Sequence, residues 1–459
     1  MKRLTSGDPD LDRVLGGGFP RYGTLIIMGG PGSGKTVLAE QMAFANAGDR
    51  PALYLTTLSE PLAKVVTYLQ EFEFADVDLI GSGVIYESLA EILTEDAGSL
   101  LERLTALIQE HRPGIVIIDS FKAVGELFPD PRSWRLTVFE MAQLFTAFDC
   151  LSLWIGEYAP EAGTSSPEFA VADGILSLQR RQRGSRDERQ LRVVKLRGSD
   201  FLDGEHVFEI SASGFHAFPR LVSLARARTY RPTPERLRTG VNGLDSMLES
   251  GWLRGTTSLI AGPSGAGKTM LGLHFLRQGV IDGEPGLLVN FQESPIQLKR
   301  SIRSLGWDPE SLLGPDRLDL LYRAPVELQI DTIVREMYRR FESHGVRRLV
   351  IDALGDLEKS ALDSQRFTEY LYVLSQEVAR RGVTTLLILE ASSAPDATGS
   401  HRLGRDVSNM SDNVVLLTMD LGQELIRSIR IVKTRGSSHV GRRQPLRLSS
   451  DGVFVGESF

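Results

Sequence analysis

The sequence predicts an α/β protein of two tandem domains, each a mostly parallel, twisted sheet flanked by helices. Three observations predict this fold class: the chain length, a long internal repeat, and short apolar runs that alternate with helical patterns. A chain of 459 residues is too long for one ordinary core, because domains usually span roughly 100–250 residues. We therefore expect two domains.

The repeat consists of four short matches that occur in the same order in both halves. The first three share one offset of 233 residues, as between Lys35 and Lys268. In the first half the matching stretches are residues 6–12, 29–36, 115–119 and 195–199. Their counterparts are residues 239–245, 262–269, 348–352 and 433–437. Four ordered matches indicate two homologous domains rather than a chance motif.

The repeat also sets the expected domain boundaries. We place the first domain at residues 1–225, a linker at 226–236 and the second domain at 237–459. The linker is rich in proline and arginine, a composition typical of a connection between elements.

Within each half, strand-like apolar runs are separated by helical patterns. The runs are apolar on both faces, which is typical of parallel strands covered by helices. In the first half the strand-like runs are residues 25–28, 52–55, 115–118 and 151–155, and the helical patterns are residues 36–47, 99–110 and 134–148. This order predicts an α/β architecture.

Composition and charge narrow the classes of function. Hydrophobic residues make up 42% and charged residues 24%, and the net charge is −7. This is an ordinary globular balance. An acidic chain is not suited to coating nucleic acid, so nucleic acid is not an expected partner. Cys150 is the single cysteine, so no disulfide framework is expected. A chain without disulfides is expected in a reducing cytoplasm. With no apolar leader and no run of about 20 apolar residues, neither a signal peptide nor a membrane segment is expected.

Two glycine-rich stretches match the pattern of a phosphate-binding loop, G-x-x-x-x-G-K-[ST]. Each follows a strand-like run and opens a helical pattern, the context that such a loop requires. Glycines let several backbone N–H groups point at one anion. The predicted ATP-binding residues are Gly29, Gly30, Pro31, Gly32, Ser33, Gly34, Lys35 and Thr36, and Gly262, Pro263, Ser264, Gly265, Ala266, Gly267, Lys268 and Thr269.

The loops predict roles for four side chains. Lys35 and Lys268 are expected to reach the β- and γ-phosphates, and the hydroxyls of Thr36 and Thr269 to bind Mg²⁺.

An acid ends a strand-like run in each half. Asp119 and Asp352 follow four apolar-leaning residues at the same distance from their loops. Such an acid can hold Mg²⁺ through water, although a lone aspartate there is more often a turn residue. The repetition favours a metal site in each half, which pairs Thr36 with Asp119 and Thr269 with Asp352.

These motifs together resemble the KaiC family, RecA-superfamily ATPases with two tandem domains from circadian and signalling systems. The stretches 239–245 and 255–269, then Asp352 and residues 433–437, follow in the order of that family. The resemblance covers nearly the whole chain. It implies RecA-like P-loop NTPase domains, ATP and Mg²⁺ as cofactors, and a homo-oligomer, expected to be a hexameric double ring with ATP at the subunit interfaces.

The resemblance also implies a role for a Lys-x-Arg pair in each half. Lys195 with Arg197, and Lys433 with Arg435, would reach the γ-phosphate of ATP held by the neighbouring subunit. A cation stabilises the charge that develops in phosphoryl transfer, and one supplied in trans couples hydrolysis to assembly. The alternative is a solvated strand end.

The family places adjacent acidic residues after the second strand, where they activate water or an acceptor hydroxyl. The second half has Gln292 and Glu293 there. A glutamine can orient water but cannot accept its proton at neutral pH. Glu293 is therefore the candidate base or water-positioning residue; the alternative is a cap of the following helix.

Two alignments compete at the same place in the first half. An offset of 233 puts Glu60 opposite Glu293, whereas an offset of 234 puts Ser59 there and keeps the flanking prolines and the strand in register. We favour the second, because a shift of one residue reverses the face of a strand side chain. The first domain is then expected to bind ATP but to hydrolyse it poorly, with the bound nucleotide stabilising the ring.

Ser408 is a possible phosphoacceptor. It matches the serine of the Ser-Thr pair that clock members of the family autophosphorylate, but Asn409 replaces the threonine. Ser408 could also be an ordinary loop or cap hydroxyl. The chain ends at Phe459, where clock members continue into a regulator-binding tail, so a full oscillator role is not expected.

We therefore expect an Mg²⁺-dependent ATPase that works mainly at its second site and switches a ring for an unidentified signalling partner. An autophosphorylating serine/threonine kinase is the alternative. A RecA-like DNA-recombination ATPase is a further alternative, which only the shared superfamily suggests.

Overall fold

Each half of the chain folds around its own nine-stranded sheet. The computed structural model divides into two units, Met1–Leu224 and Ala225–Phe459. It describes residues 3–48, 50–57, 62–89, 97–126, 128, 130–158, 166–183, 186–220, 233–326, 328–361, 364–391, 407–421, 425–450 and 452–456. Most of the proposed linker lies outside the described residues.

The first unit has eleven named strands and seven named helices within the described residues. The strands are β1 (Arg3–Leu4), β2 (Phe19–Pro20), β3 (Gly23–Gly29), β4 (Ala52–Thr56), β5 (Val84–Ser88), β6 (Ile115–Asp119), β7 (Leu151–Gly156), β8 (Gly174–Arg183), β9 (Arg186–Leu196), β10 (Glu205–Ser211) and β11 (Gly214–Phe218). The helices are α1 (Pro9–Val14), α2 (Lys35–Ala45), α3 (Leu62–Leu69), α4 (Ala97–His111), α5 (Phe121–Gly125), α6 (Pro131–Ala147) and α7 (Pro167–Val171), with a 3-10 turn at Val77–Leu79.

The large sheet of the first unit is parallel in its centre and antiparallel at one end. Its order is β11-β10-β9-β8-β3-β7-β6-β4-β5. The strands from β8 to β5 in this order run parallel, and β9, β10 and β11 continue antiparallel. Because the carboxyl ends of parallel strands meet at one edge, the residues that follow β3, β4, β6 and β7 lie along the same edge.

The second unit repeats the first. Its strands are β12 (Arg236–Leu237), β13 (Trp252–Leu253), β14 (Thr257–Gly262), β15 (Gly286–Asn290), β16 (Leu318–Tyr322), β17 (Arg348–Asp352), β18 (Thr384–Glu390), β19 (Asn413–Leu421), β20 (Leu425–Thr434), β21 (Gln444–Ser449) and β22 (Gly452–Val455). Its helices are α8 (Leu244–Met247), α9 (Lys268–Ile281), α10 (Pro295–Ser304), α11 (Pro309–Leu312), α12 (Ile330–Ser343), α13 (Leu354–Lys359) and α14 (Ser364–Arg380). The sheet order β16-β15-β17-β18-β14-β19-β20-β21-β22 matches that of the first unit strand for strand.

Helices cover both faces of the central strands, as the uniformly apolar runs predict. Successive residues of β6 point to opposite faces. Ile117 packs in the cluster that contains Leu38 of α2, and Ile118 packs in the one that contains Leu104 of α4. The predicted fold class is confirmed. Across the described part of the chain, no helix is both long and apolar enough to span a bilayer.

One helix begins earlier than the sequence pattern predicts. The pattern predicts a start at residue 134, whereas α6 begins at Pro131. The Asp130 side chain accepts hydrogen bonds from the backbone N–H groups of Arg132 and Ser133. An aspartate cap followed by proline is a favourable helix start, and it outweighs the polar character of this first turn.

Candidate nucleotide-binding sites

The first glycine-rich loop connects β3 to α2 at the carboxyl edge of the sheet. Gly32 and Gly34 have positive φ angles of 67° and 92°, which glycine adopts without steric cost. A Cβ atom on Gly34 would lie 2.6 Å from Ile210 Cδ1, so a larger residue there would require the Ile210 side chain to move. Lys35 begins α2 directly after the loop. The loop therefore meets a helix N-terminus, which favours a bound anion.

The loop lysines occupy the same position in both domains. Lys35 Nζ donates to the carbonyl oxygens of Gly29 (2.9 Å) and Gly30 (2.8 Å). Lys268 Nζ donates to those of Gly262 (2.9 Å) and Pro263 (2.7 Å). Burial lowers the pKa of both lysines, and nearby carboxylates oppose this effect. The two loops are thus alike at the level of individual hydrogen bonds.

The threonine and aspartate proposed to hold a metal are in contact in each domain. Thr36 Oγ1 donates to Asp119 Oδ2 (2.8 Å), and Thr269 Oγ1 donates to Asp352 Oδ2 (2.6 Å). Asp119 ends β6 and Asp352 ends β17, strands on the same edge as the loops. The sequence-predicted pairs are therefore brought together.

These pairs fit Mg²⁺, because it prefers oxygen ligands and usually keeps water and phosphate oxygens as the others. Burial raises the pKa of Asp352, the Thr269 hydrogen bond lowers it, and the charge of Glu293 raises it. A bound cation would favour the ionised carboxylate. Within the described residues, no group of three or more His, Cys, Asp or Glu side chains could hold a metal ion.

Sequence analysis missed an acid near each loop lysine. Glu157 follows β7 and Glu390 ends β18, strands that pair with the loop strands β3 and β14. Glu157 Oε1 lies 3.9 Å from Lys35 Nζ, and Glu390 acts against the lowering of the Lys268 pKa. Glu157 and Glu390 are separated by the same 233 residues as Lys35 and Lys268, so the repeat could have identified these acids.

Each Lys-x-Arg pair lies at the amino edge of the parallel strands, away from the loop of its own domain. Lys195 pairs with Ile175, which pairs with Ile26 of β3. The loop begins beyond Gly29, three residues further along β3, or about 10 Å at roughly 3.3 Å per residue. In the second domain, Lys433 pairs with Val414, which pairs with Leu259 of β14, three residues before Gly262.

Both pairs contact the segment that leads into the strand beside the loop strand, which is β8 in the first domain and β19 in the second. Lys195 Nζ donates to the Ala172 carbonyl (2.5 Å), and Arg197 forms an ion pair with Asp173 (3.2 Å). In the second domain, the equivalent segment holds Ser408. Partial burial, and the positive charge of the neighbouring arginine, lower the pKa of Lys195 and Lys433.

A family model for the KaiC ATPase matches residues 4–221 and, a second time, residues 237–458. The chain belongs to the KaiC family of ATPases. It is therefore an ATP-binding protein of that family, with two RecA-like domains in tandem, and the resemblance found in the sequence is confirmed.

Similar KaiC proteins align along almost the whole chain. The circadian clock oscillator protein KaiC 1 of Synechocystis sp. is 27% identical over 469 residues, with 98% of this chain and 88% of the relative covered. KaiC of Synechococcus elongatus is 25% identical over 476 residues, with 100% and 89% covered. KaiC of Thermosynechococcus vestitus is 26% identical over 476 residues, with 100% and 90% covered.

Strand pairing distinguishes the two alignments of the position where the KaiC family has its acidic residues. Thr56 pairs with Asp119 in the first domain, and Asn290 pairs with Asp352 in the second. Thr56 and Asn290 are therefore equivalent, which agrees with the favoured offset of 234. Ser59 and Glu60 themselves lie outside the described residues.

Glu293 lies in the turn after β15. Asn290 Oδ1 accepts hydrogen bonds from the backbone N–H groups of Gln292 (2.9 Å) and Glu293 (2.8 Å). Ser294 caps α10 through a capping box, so the alternative role of Glu293 as the helix cap is wrong. Glu293 Oε2 instead accepts from Ser301 Oγ (3.2 Å), and its charge acts on Asp352.

Gln292 has a partner that sequence analysis missed. Its Nε2 donates to Asp356 Oδ2 (2.8 Å), and Lys359 Nζ donates to the other carboxylate oxygen, Oδ1 (2.9 Å). The first-domain residue equivalent to Asp356 is Ala123, so the repeat contained no signal for this contact.

Ser408 lies beside the second basic pair. Residues 407–410 are helical. The carbonyl of Ser408 accepts from Lys433 Nζ (2.7 Å), and that of Asn409 accepts from Arg435 (2.9 Å). The possible phosphoacceptor therefore sits at the amino edge, distant from the loop of its own domain.

Proposed function

We propose that this KaiC-family member is an Mg²⁺-dependent ATPase that hydrolyses ATP chiefly at its second site. It acts as a ring-forming cytoplasmic regulator of a signalling protein. The observation that carries the proposal is the position of Glu293 in the turn after β15, where its backbone N–H donates to Asn290, the residue that pairs with Asp352. The charge of Glu293 also acts on Asp352, the aspartate that accepts from Thr269 of the second loop.

The second site divides the work among a few groups. The backbone of residues 262–269 and the side chain of Lys268 would hold the phosphates. Thr269 and Asp352 would hold Mg²⁺, which would neutralise phosphate charge. Glu293 orients the water. The water oxygen forms a bond to the γ-phosphorus while the bond from that phosphorus to the β–γ bridging oxygen breaks. ADP leaves with the electron pair, and Glu293 accepts the proton that the water loses.

The basic pairs support a homo-oligomer with ATP at subunit interfaces. Each lysine lies level with a residue of the loop strand that is about 10 Å before the loop of its own domain, at roughly 3.3 Å per strand residue. A neighbouring subunit can supply a phosphate to Lys433 and Arg435, or to Lys195 and Arg197. By family resemblance we propose a hexamer, in which the first site holds nucleotide with little turnover and stabilises the ring.

Native mass and phosphate release together test this function. With Mg·ATP we expect a ring, and phosphate release that Lys268→Ala largely abolishes. A monomer in the presence of ATP would contradict the interface site. Phosphate release that Lys268→Ala leaves intact would contradict the role of the second site.

Autophosphorylation at Ser408 is a second candidate function, because its backbone carbonyl lies 2.7 Å from Lys433 Nζ. In a ring, this would place Ser408 near a neighbour's γ-phosphate. We do not favour it, since Asn409 and Gln292 replace residues of the family pattern. Mass spectrometry after incubation with Mg·ATP is expected to find Ser408 unmodified, and phosphate there would establish the kinase. The family match does not favour the DNA-recombination alternative.

A further inference from the structure

We propose that Asp356 is a positioning residue for hydrolysis. It holds the side-chain amide of Gln292 so that the amide carbonyl faces the attacking water. The inference rests on the proposed hydrolysis at the second site and deepens it, because it assigns a task to the glutamine that stands where the family has an acid.

Asp356 lies close to both parts of the site that it would connect. It is four residues after Asp352, in the first turn of α13, and its charge raises the pKa of Asp352. Its side chain is almost completely buried, with 5% of the residue exposed, yet it accepts hydrogen bonds from Gln292 and Lys359. The carboxylate is therefore held on both oxygens beside the metal-binding aspartate.

The chemistry of the two groups fixes the orientation of the amide. A carboxylate only accepts hydrogen bonds, whereas an amide donates through its NH₂ and accepts through its carbonyl oxygen. Gln292 must therefore turn its NH₂ toward Asp356, and its carbonyl oxygen diverges from this contact. Asn290 fixes the backbone of Gln292. This carbonyl, for which the described residues provide no donor, can accept a hydrogen bond from water and so direct a lone pair of the water toward the phosphate.

A purely structural role explains less. An acid in the first turn of a helix, with a lysine three residues later, can stabilise that helix. However, Lys359 has 78% of its side chain exposed, so solvent screens its charge and weakens its contribution to the pair. Moreover, α5 forms in the first domain with Ala123 at the equivalent position. The helix does not need the acid. In the strand register that matches Thr56 to Asn290, Leu58 stands opposite Gln292.

Exchanging the roles of donor and acceptor tests the proposal. In Asp356→Asn, Lys359 continues to donate to the side-chain oxygen of residue 356, so the new NH₂ faces Gln292. It donates to the Gln292 carbonyl and turns the glutamine over, so that NH₂ faces the water. We expect kcat to fall at least about tenfold, toward the scale of losing a positioned proton-handling group, with nucleotide affinity unchanged. In Gln292→Glu with Asp356→Asn, the asparagine donates to the new carboxylate, whose other oxygen faces the water. We expect this double variant to recover at least wild-type turnover.

Glu358→Gln is the matched control, because it makes the same change of charge two residues away and should leave kcat unchanged. If Asp356→Asn does not fold, Gln292→Leu removes the same contact at its exposed residue and should lower kcat similarly. Unchanged kcat in Asp356→Asn, or a double variant no faster than Asp356→Asn, would overturn the role of Asp356. Lys268→Ala separates the two failures: turnover insensitive to this change would overturn the proposed function, and this inference with it.

Discussion

The hydroxyl of Tyr54 donates a 2.9 Å hydrogen bond to Asp119 Oδ2, the same oxygen that accepts from Thr36. The equivalent residue in the second domain is Leu288, so Asp352 has no such support from β15. Tyr54 continues into a polar cluster: its ring lies 5.3 Å from that of Tyr86, whose hydroxyl donates to Glu40 (2.6 Å). The duplicated domains therefore hold equivalent aspartates in different ways.

Tyr54→Phe should weaken the first domain. The change removes one partly buried hydrogen bond to a carboxylate while the ring stays, and hydrogen bonds to charged groups contribute about 1.5–3 kcal/mol to stability. We expect the free energy of unfolding to fall by about 2 kcal/mol in urea denaturation. Tyr22→Phe is the control, because Tyr22 is exposed. Equal stability of the two variants would mean that the Tyr54 hydroxyl contributes nothing.

Glu40 should make the stability of the protein depend on pH. Burial raises its pKa from 4.5 to about 8; Asp119 adds to this rise, and the Tyr86 hydrogen bond opposes it. Between these values the folded state binds the proton and the unfolded state releases it, so stability falls as pH rises from about 4.5 to 8. Below this window both states are protonated, and above it both are ionised.

Replacing the acid with its amide measures this effect. Glu40→Gln should increase the free energy of unfolding relative to wild type, by an amount that grows from pH 5 to pH 8 and then levels off. Urea denaturation of both proteins across this range is the measurement. An increase that is the same at every pH would show that Glu40 does not hold a proton in the folded state.

The loop lysines should contribute unequally to turnover. Lys268→Ala removes the cation from the site that has Glu293 and the Gln292–Asp356 pair, whereas Lys35→Ala disables the site expected to hold nucleotide with little hydrolysis. We expect steady-state phosphate release to fall far more in Lys268→Ala. Equal losses in the two variants would contradict the division of labour between the domains.

Mixing two inactive variants tests whether the second basic pair acts across an interface. Lys268→Ala lacks a working loop and Arg435→Ala lacks the arginine supplied to a neighbour. Mixed rings contain some interfaces at which an intact loop meets an intact arginine. We therefore expect the mixture to release phosphate faster than the average of the separate variants. A mixture that shows only the average would favour action within one subunit.

Much of the fold and part of the site could be predicted from sequence because the signals were local. The run 115–118 is apolar on both faces, and the loop pattern states its own chemistry. The contacts Tyr54–Asp119 and Gln292–Asp356 join residues 65 and 64 positions apart, and they depend on strand register and side-chain direction. Glu157 and Glu390 could have been found, since they repeat at the loop offset, but a single acid after a strand is a weak signal.

The central claim is that each domain binds a nucleotide at its own loop. Equilibrium binding of a slowly hydrolysed Mg·ATP analogue measures this directly. The account predicts two nucleotides bound per wild-type chain, and one in either Lys35→Ala or Lys268→Ala. A wild-type chain with no affinity for any Mg-nucleotide would contradict it.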